Sequence, residues 1–251
     1  MAKAIHDLLP EEQIIYFGDT AHLPYGNKSA EAVTHYSERI VDFLVAKNCK
    51  LIVFACNTAS ANAFENIAEK LNGSIIALNV IDPMVEGVCA EPGLKKVGII
   101  GTQGTINSGI YTKKLKQKCP RVKAVSTATP LLASMIETGF FHNNISQAVI
   151  ANYLDQPILQ GIDAIILACT HYPLVKDDID YFYNRSIRIF DSTDFVAKKV
   201  KLELEARNLL SAQRMEAHHF YVSDFTDSFE NTTRIFYKEK IHLEFMPLWE
   251  E

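Results

Sequence analysis

Short apolar runs alternate with stretches of helical periodicity along almost the whole chain. The runs at 13–18, 51–55, 74–78, 97–101, 122–126, 163–168, 187–190, 218–222 and 242–246 predict strands. Between them, Val33, Tyr36, Ile40, Phe43 and Leu44 recur as one face of a helix. Phe195, Val196, Val200, Leu202 and Leu204 do the same, and Ile106, Ile110 and Leu115 follow a looser version. Strands that are apolar nearly throughout, separated by helices, belong to parallel sheets covered on both faces. The pattern predicts an α/β protein built from doubly wound parallel sheets.

The strongest break is Asp82-Pro83 followed by Glu91-Pro92-Gly93, after which Val97-Gly-Ile-Ile-Gly101 reads as the first strand of a fresh unit. A return near Asp191-Ser-Thr-Asp194 completes two pseudo-symmetric domains with a cleft between them. Residues 1–80 with 192–251 form the first, and residues 81–191 form the second, inserted into it. The segment 237–251 alternates weakly and is expected to close a sheet edge. With 251 residues and 48% hydrophobic content, the chain can bury a large core.

A net charge of −5, with no basic stripe, argues against a general nucleic-acid surface. No run approaches the ~18 consecutive apolar residues of a membrane span. The start, Met1 to Pro10, has no signal-peptide core, and five cysteines without regular spacing make a reducing cytoplasm the expected location.

Two of the apolar runs repeat each other. Leu51-Ile-Val-Phe-Ala-Cys56-Asn57-Thr58 and Ala164-Ile-Ile-Leu-Ala-Cys169-Thr170-His171 both end in Ala-Cys, followed at once by small polar or basic residues. A thiol at the carboxyl end of a buried strand lies where α/β folds place their chemistry. Backbone N–H groups at a following helix start favour thiolate. A lone unpaired cysteine is more often a small buried hydrophobe, but a repeated context favours a ligand held between two thiols. Cys49, Cys89 and Cys119 lack that context and read as structural or incidental. Five cysteines without regular spacing make a poor disulfide framework and a poor zinc site. The histidines, including His218-His219, show no metal spacing, so no metal is expected.

With both cysteine motifs in place, the chain resembles the cofactor-independent Asp/Glu racemase superfamily and, within it, the glutamate racemases. The likeness is carried by Phe17-Gly-Asp-Thr-Ala-His-Leu-Pro-Tyr-Gly26, by Ala55-Cys-Asn-Thr-Ala-Ser60 and by Gly101-Thr-Gln-Gly-Thr-Ile-Asn-Ser-Gly-Ile-Tyr111. Ala168-Cys-Thr-His-Tyr-Pro-Leu174 completes it. It implies an isomerase that interconverts L- and D-glutamate without a cofactor and supplies D-glutamate for peptidoglycan. Cys56 and Cys169 would be its two bases, approaching the α-carbon from opposite faces. His171 would assist Cys169, its imidazolium favouring the thiolate. Tyr25, Gly26, Asn57, Thr58, Thr170 and His171 match substrate-contacting positions, and Glu137 matches an auxiliary acidic one. The assembly is left open, with a homodimer among the options.

Relatives in this superfamily open with a strand and an Asp-Ser-Gly loop, and Met1 falls where their following helix starts. The expectation is that translation begins about twenty residues earlier, at a buried strand whose loss bares sheet edges, Met1 being an internal GTG codon. Three alternatives follow from the same residues. They are an aspartate racemase, though Cys169-Thr-His171 favours glutamate, a non-catalytic racemase-fold binding protein, and a thiol–disulfide enzyme, though no Cys-x-x-Cys is present.

Overall fold

The computed structural model describes residues 1–213, 217–225 and 241–249. Among the described residues nine strands form, one at each predicted run. They are β1 (Ile15–Gly18), β2 (Leu51–Phe54), β3 (Ile76–Asn79), β4 (Lys96–Gly101), β5 (Lys123–Ala128), β6 (Ala164–Ala168), β7 (Arg188–Phe190), β8 (His219–Val222) and β9 (Leu243–Phe245). Every pair among these strands is parallel. Four strands make one sheet in the order β5-β4-β6-β7, while β1-β8-β9 and β2-β3 form two smaller ones. The tail does close an edge, through β9, although residues 237–240 and 250–251 lie outside the described residues.

Strict alternation along the strands explains the layering. In β6, Ala164, Ile166 and Ala168 face one apolar cluster, while Ile165, Leu167 and Cys169 face another on the opposite side. The first cluster also takes Ile76 and Val80, Ile81–Ala90 helix residues such as Met84 and Val85, and Val196 and Val200. A third cluster packs Ile52 and Phe54 of β2 against Val33 and Val41 of the helix Ala30–Ala46 and against Ala59 and Ile67.

Register decides where the loops emerge. Gly101 pairs with both Ala128 and Ala168, so β4, β5 and β6 end level with one another. Phe54 pairs with Asn79, and Gly18 with Val222. The carboxyl ends therefore release Asp19, Cys56, Thr102, Thr129, Cys169 and Ser223 as the first residues, or nearly the first, of their loops. In open parallel sheets ligands bind outside these ends.

Three local expectations change. Asp82-Pro83 is not itself a break but the first turn of the helix Ile81–Ala90, where proline lacks only an N–H that no helical partner would take. The spacing of Ile106, Ile110 and Leu115 is split between two helices, Gln103–Asn107 and Ile110–Lys118, joined through Gly109 at φ +64°. Leu202 is exposed rather than part of the buried stripe of the helix Thr193–Ala206.

The five cysteines read as a poor disulfide framework, yet a disulfide joins Cys89 and Cys119, read as structural or incidental, with Cα atoms 5.6 Å apart. Helix Ile81–Ala90 packs beside helix Ile110–Lys118, which brings Cys89 near one carboxyl end against Cys119 just beyond the other. Thirty residues separate the two cysteines, a spacing that carries no motif.

Candidate active site

Cys56 leaves β2 and caps the short helix Asn57–Asn62. Its thiol is half-buried and receives the N–H groups of Thr58 and Ala59 and the Thr58 hydroxyl, all favouring thiolate. Burial outweighs them and, with help from the Glu137 charge, holds the thiol above its ordinary value. Helix-start donors alone therefore do not make this cysteine acidic.

Cys169 follows β6 directly and is 7% exposed. Burial pushes its thiol up to about 12; charges at Cys56 and Glu137 add to the rise, against hydrogen bonds from the His171 and Tyr172 N–H groups. That Cys56 and Glu137 act electrostatically on Cys169, and Glu137 on Cys56, brings the three groups into one site.

His171 Nδ1 lies 3.7 Å from the Cys169 sulfur, and its Nε2 lies 3.4 Å from Glu137 Oε1. The order is thiol, imidazole, carboxylate. Burial lowers His171 to about 4, so the ring is neutral near neutral pH and not the imidazolium expected from the sequence. With Nε2–H turned to Glu137, Nδ1 is the acceptor facing the thiol. Glu137 is itself raised by burial.

Asn57 and Thr58 are almost fully buried at the start of their helix. The Thr58 hydroxyl is 2.9 Å from that of Thr102 and 3.2 Å from that of Thr105, which are 3.1 Å from each other. The loop of Tyr25 and Gly26 closes on the same helix end. A Cβ on Gly26 would come within 2.5 Å of the Thr102 Cβ, so only glycine permits this approach. The Tyr25 hydroxyl donates to Asp19 at 2.6 Å. Thr170 is half-buried between Cys169 and His171. Every residue singled out from the sequence thus lies at the carboxyl ends of the strands or on segments packed against them.

Several contributors carried no assigned role in the sequence. Thr102 and Thr105 support Thr58, and Tyr111 donates to Asn57 Oδ1 at 2.7 Å. Asp19 is a buried hub that accepts from His22, Tyr25, Ser223 and Trp249. The Gly101–Tyr111 motif marked the first three, but only the facing of two sheets gives them work. Among the described residues, no group of three or more His, Cys, Asp or Glu side chains could hold a metal ion, and no helix is long and apolar enough to cross a membrane.

A half-buried and a buried thiol, each leaving its own parallel sheet and flanked by hydroxyl, amide and imidazole groups, form a site suited to an enzyme of the proton-transfer type. The chain belongs to the Asp/Glu/Hydantoin racemase family, whose model matches residues 1–200. It is 40% identical over 228 residues to the glutamate racemase of Geobacter metallireducens, spanning 90% of this chain and 84% of that one. Two crystal structures superpose with TM-scores of 0.92. The glutamate racemase of Bacillus anthracis is 31% identical, covering 98% of this chain and 91% of the other. That of Francisella tularensis, in complex with D-glutamate, is 33% identical, covering 99% and 92%.

Proposed function

We propose that this chain is a glutamate racemase that interconverts L- and D-glutamate by a two-thiol proton transfer, without pyridoxal phosphate or a metal. The observation that carries the reading is the convergence of Cys56 and Cys169, each released from the end of its own sheet and each sensed electrostatically with Glu137. Racemisation needs a base on one face of the α-carbon and an acid on the other, a task for two groups rather than one.

In one direction Cys169 passes its proton to His171, whose imidazolium Glu137 then stabilises. The Cys169 thiolate removes the α-proton while the Cys56 thiol delivers one to the opposite face. This leaves a Cys56 thiolate and a re-protonated Cys169, and the roles exchange in the other direction. Thr58 and the N–H groups of Thr58 and Ala59 favour the Cys56 thiolate so formed. Tyr25, Gly26, Asn57, Thr58, Thr170 and His171 form the proposed substrate surface, with amide and hydroxyl donors suited to carboxylate oxygens.

The domain division at 80/81 and 191/192 goes with this reading, since β4–β7 fall wholly within 81–191 and carry Cys169. The function implies a cytoplasmic enzyme that supplies D-glutamate for peptidoglycan and acts on a small-molecule substrate, with a homodimer as its candidate assembly.

The test is racemisation of L-glutamate in deuterated water by the untreated protein. The expected product is D-glutamate carrying one deuterium at the α-carbon, with Cys56→Ser and Cys169→Ser each reducing racemisation to a trace. Near-parental racemisation by either variant would refute the two-thiol assignment.

A further inference from the structure

Of two buried polar groups without a hydrogen-bond partner among the described residues, the Tyr183 hydroxyl and the Asn57 amide, the second lies in the site. Asn57 is 2% exposed, and its Nδ2 has no hydrogen-bond partner among the described residues. Buried amide N–H groups without partners are rare, and in a native protein each calls for a reason. Its other end is engaged, because Oδ1 accepts the Tyr111 phenol at 2.7 Å.

Tyr111 comes from the helix Ile110–Lys118, which follows β4 in the chain. That helix is anchored one turn further along by the Lys114–Asp82 ion pair at 2.7 Å. Burial, and secondarily the Asp82 charge, raise the phenol far above its ordinary value, so it never loses its proton in the working range. A phenol that is always protonated and held 2.7 Å from Asn57 fixes the amide in one orientation: oxygen toward the tyrosine, both N–H bonds turned away from it. The opposite orientation would present a carbonyl oxygen to the ligand. For an anionic ligand that is the difference between two donors and a repelling acceptor.

We infer that Tyr111 is a positioning residue: by occupying Asn57 Oδ1 it commits the Asn57 amide to donating its unpaired N–H groups to a carboxylate of the substrate. The inference rests on the proposed racemase reading, since the ligand is taken to be a dicarboxylate. The same tyrosine couples the two sheets, so carboxylate recognition by a residue after β2 is set by a residue after β4.

The experiment is a double-mutant cycle on binding and on turnover. Tyr111→Phe, Asn57→Ala and the double variant are titrated with D-glutamate and with glutarate, which binds as a dicarboxylate but has no amino group. Racemisation is followed in parallel. Tyr111→Phe removes one hydrogen bond and frees the amide to rotate, so Kd and KM should rise about 5- to 10-fold for both ligands. In contrast, kcat should stay within about twofold, because the bond contributes equally to ground state and transition state. In the Asn57→Ala background the same Tyr111→Phe change should have no further effect on Kd.

A Tyr111→Phe effect of equal size with and without Asn57 would overturn the inference, as would a loss confined to kcat or no loss at all. A wild-type protein that binds glutarate but does not racemise glutamate would sink the proposed function and leave the cycle on Kd as the test of Tyr111. A wild-type protein that binds neither ligand would sink both.

Discussion

The acidity of Cys169 is the property of this site most open to direct measurement. Burial, with the Cys56 and Glu137 charges, lifts its thiol from 9.0 to about 12. A thiol so raised holds about a thousandfold less thiolate than an ordinary cysteine at any pH below its usual value. Alkylation by iodoacetamide proceeds through the thiolate, so peptide-resolved mass spectrometry gives the titration of each cysteine separately. The rate at Cys169 should climb about tenfold per pH unit from about pH 7 to pH 10 without levelling off. The slope, not the absolute rate, carries the information, because burial also slows access of the reagent. Cys56→Ser should lower the Cys169 titration, since a Cys56 thiolate no longer opposes it. A plateau at Cys169 near pH 8.5 in the wild-type protein would refute this account, and with it the claim that burial dominates the hydrogen bonds from His171 and Tyr172.

The same shift has a thermodynamic signature. The folded protein holds the Cys169 proton more tightly than the unfolded chain, so the associated stability is present below about pH 9 and is lost as pH rises toward 12. The slope across that window is at most about 1.4 kcal/mol per pH unit, and Cys169→Ser should flatten it in denaturant titrations.

Two other outcomes test the surroundings of the thiols. His171, lowered to about 4 by burial, takes up its proton in the unfolded chain first. Stability should therefore fall as pH drops from about 6.5 toward 4, by up to about 3 kcal/mol before the offset from nearby Glu137, and His171→Asn should abolish that part of the acid loss in denaturant titrations. Gly26→Ala puts a Cβ within 2.5 Å of a Thr102 side chain that is bonded to both Thr58 and Thr105. It should cost about 1–3 kcal/mol of unfolding free energy and raise KM, and unchanged values in both assays would mean the loop closes in some other way.

The strands and the thiols were legible because each is encoded locally. An apolar run such as 164–168 announces a buried strand, and Ala-Cys at its end announces where the chain leaves the sheet. The pairings that make the site work are not local. Thr58 meets Thr102 and Thr105, and Asn57 meets Tyr111, because the carboxyl ends of two sheets face each other, and no period in the sequence reports that distance. The Asp19 hub gathers Ser223 and Trp249 across more than two hundred residues for the same reason. The Cys89–Cys119 disulfide escaped because it depends on two helices lying side by side rather than on cysteine spacing.

The thiol acidities depend on more than the local donors. Sequence locates the donors, N–H groups at the start of a helix or turn, but burial is a property of everything that packs around the sulfur. For Cys56 and Cys169 burial wins, and the Cys56 charge adds to the rise at Cys169. Two thiolates in one largely buried site are the least stable arrangement available, so the resting site keeps its protons. An ammonium group entering between the thiols reverses that balance, because a nearby cation offsets the cost of a buried thiolate. On the racemase reading, glutamate brings that ammonium with it, and its arrival lowers the cost of forming the base that removes its own α-proton. A site of this kind is reactive only when occupied, which protects its thiols from alkylation and oxidation in between.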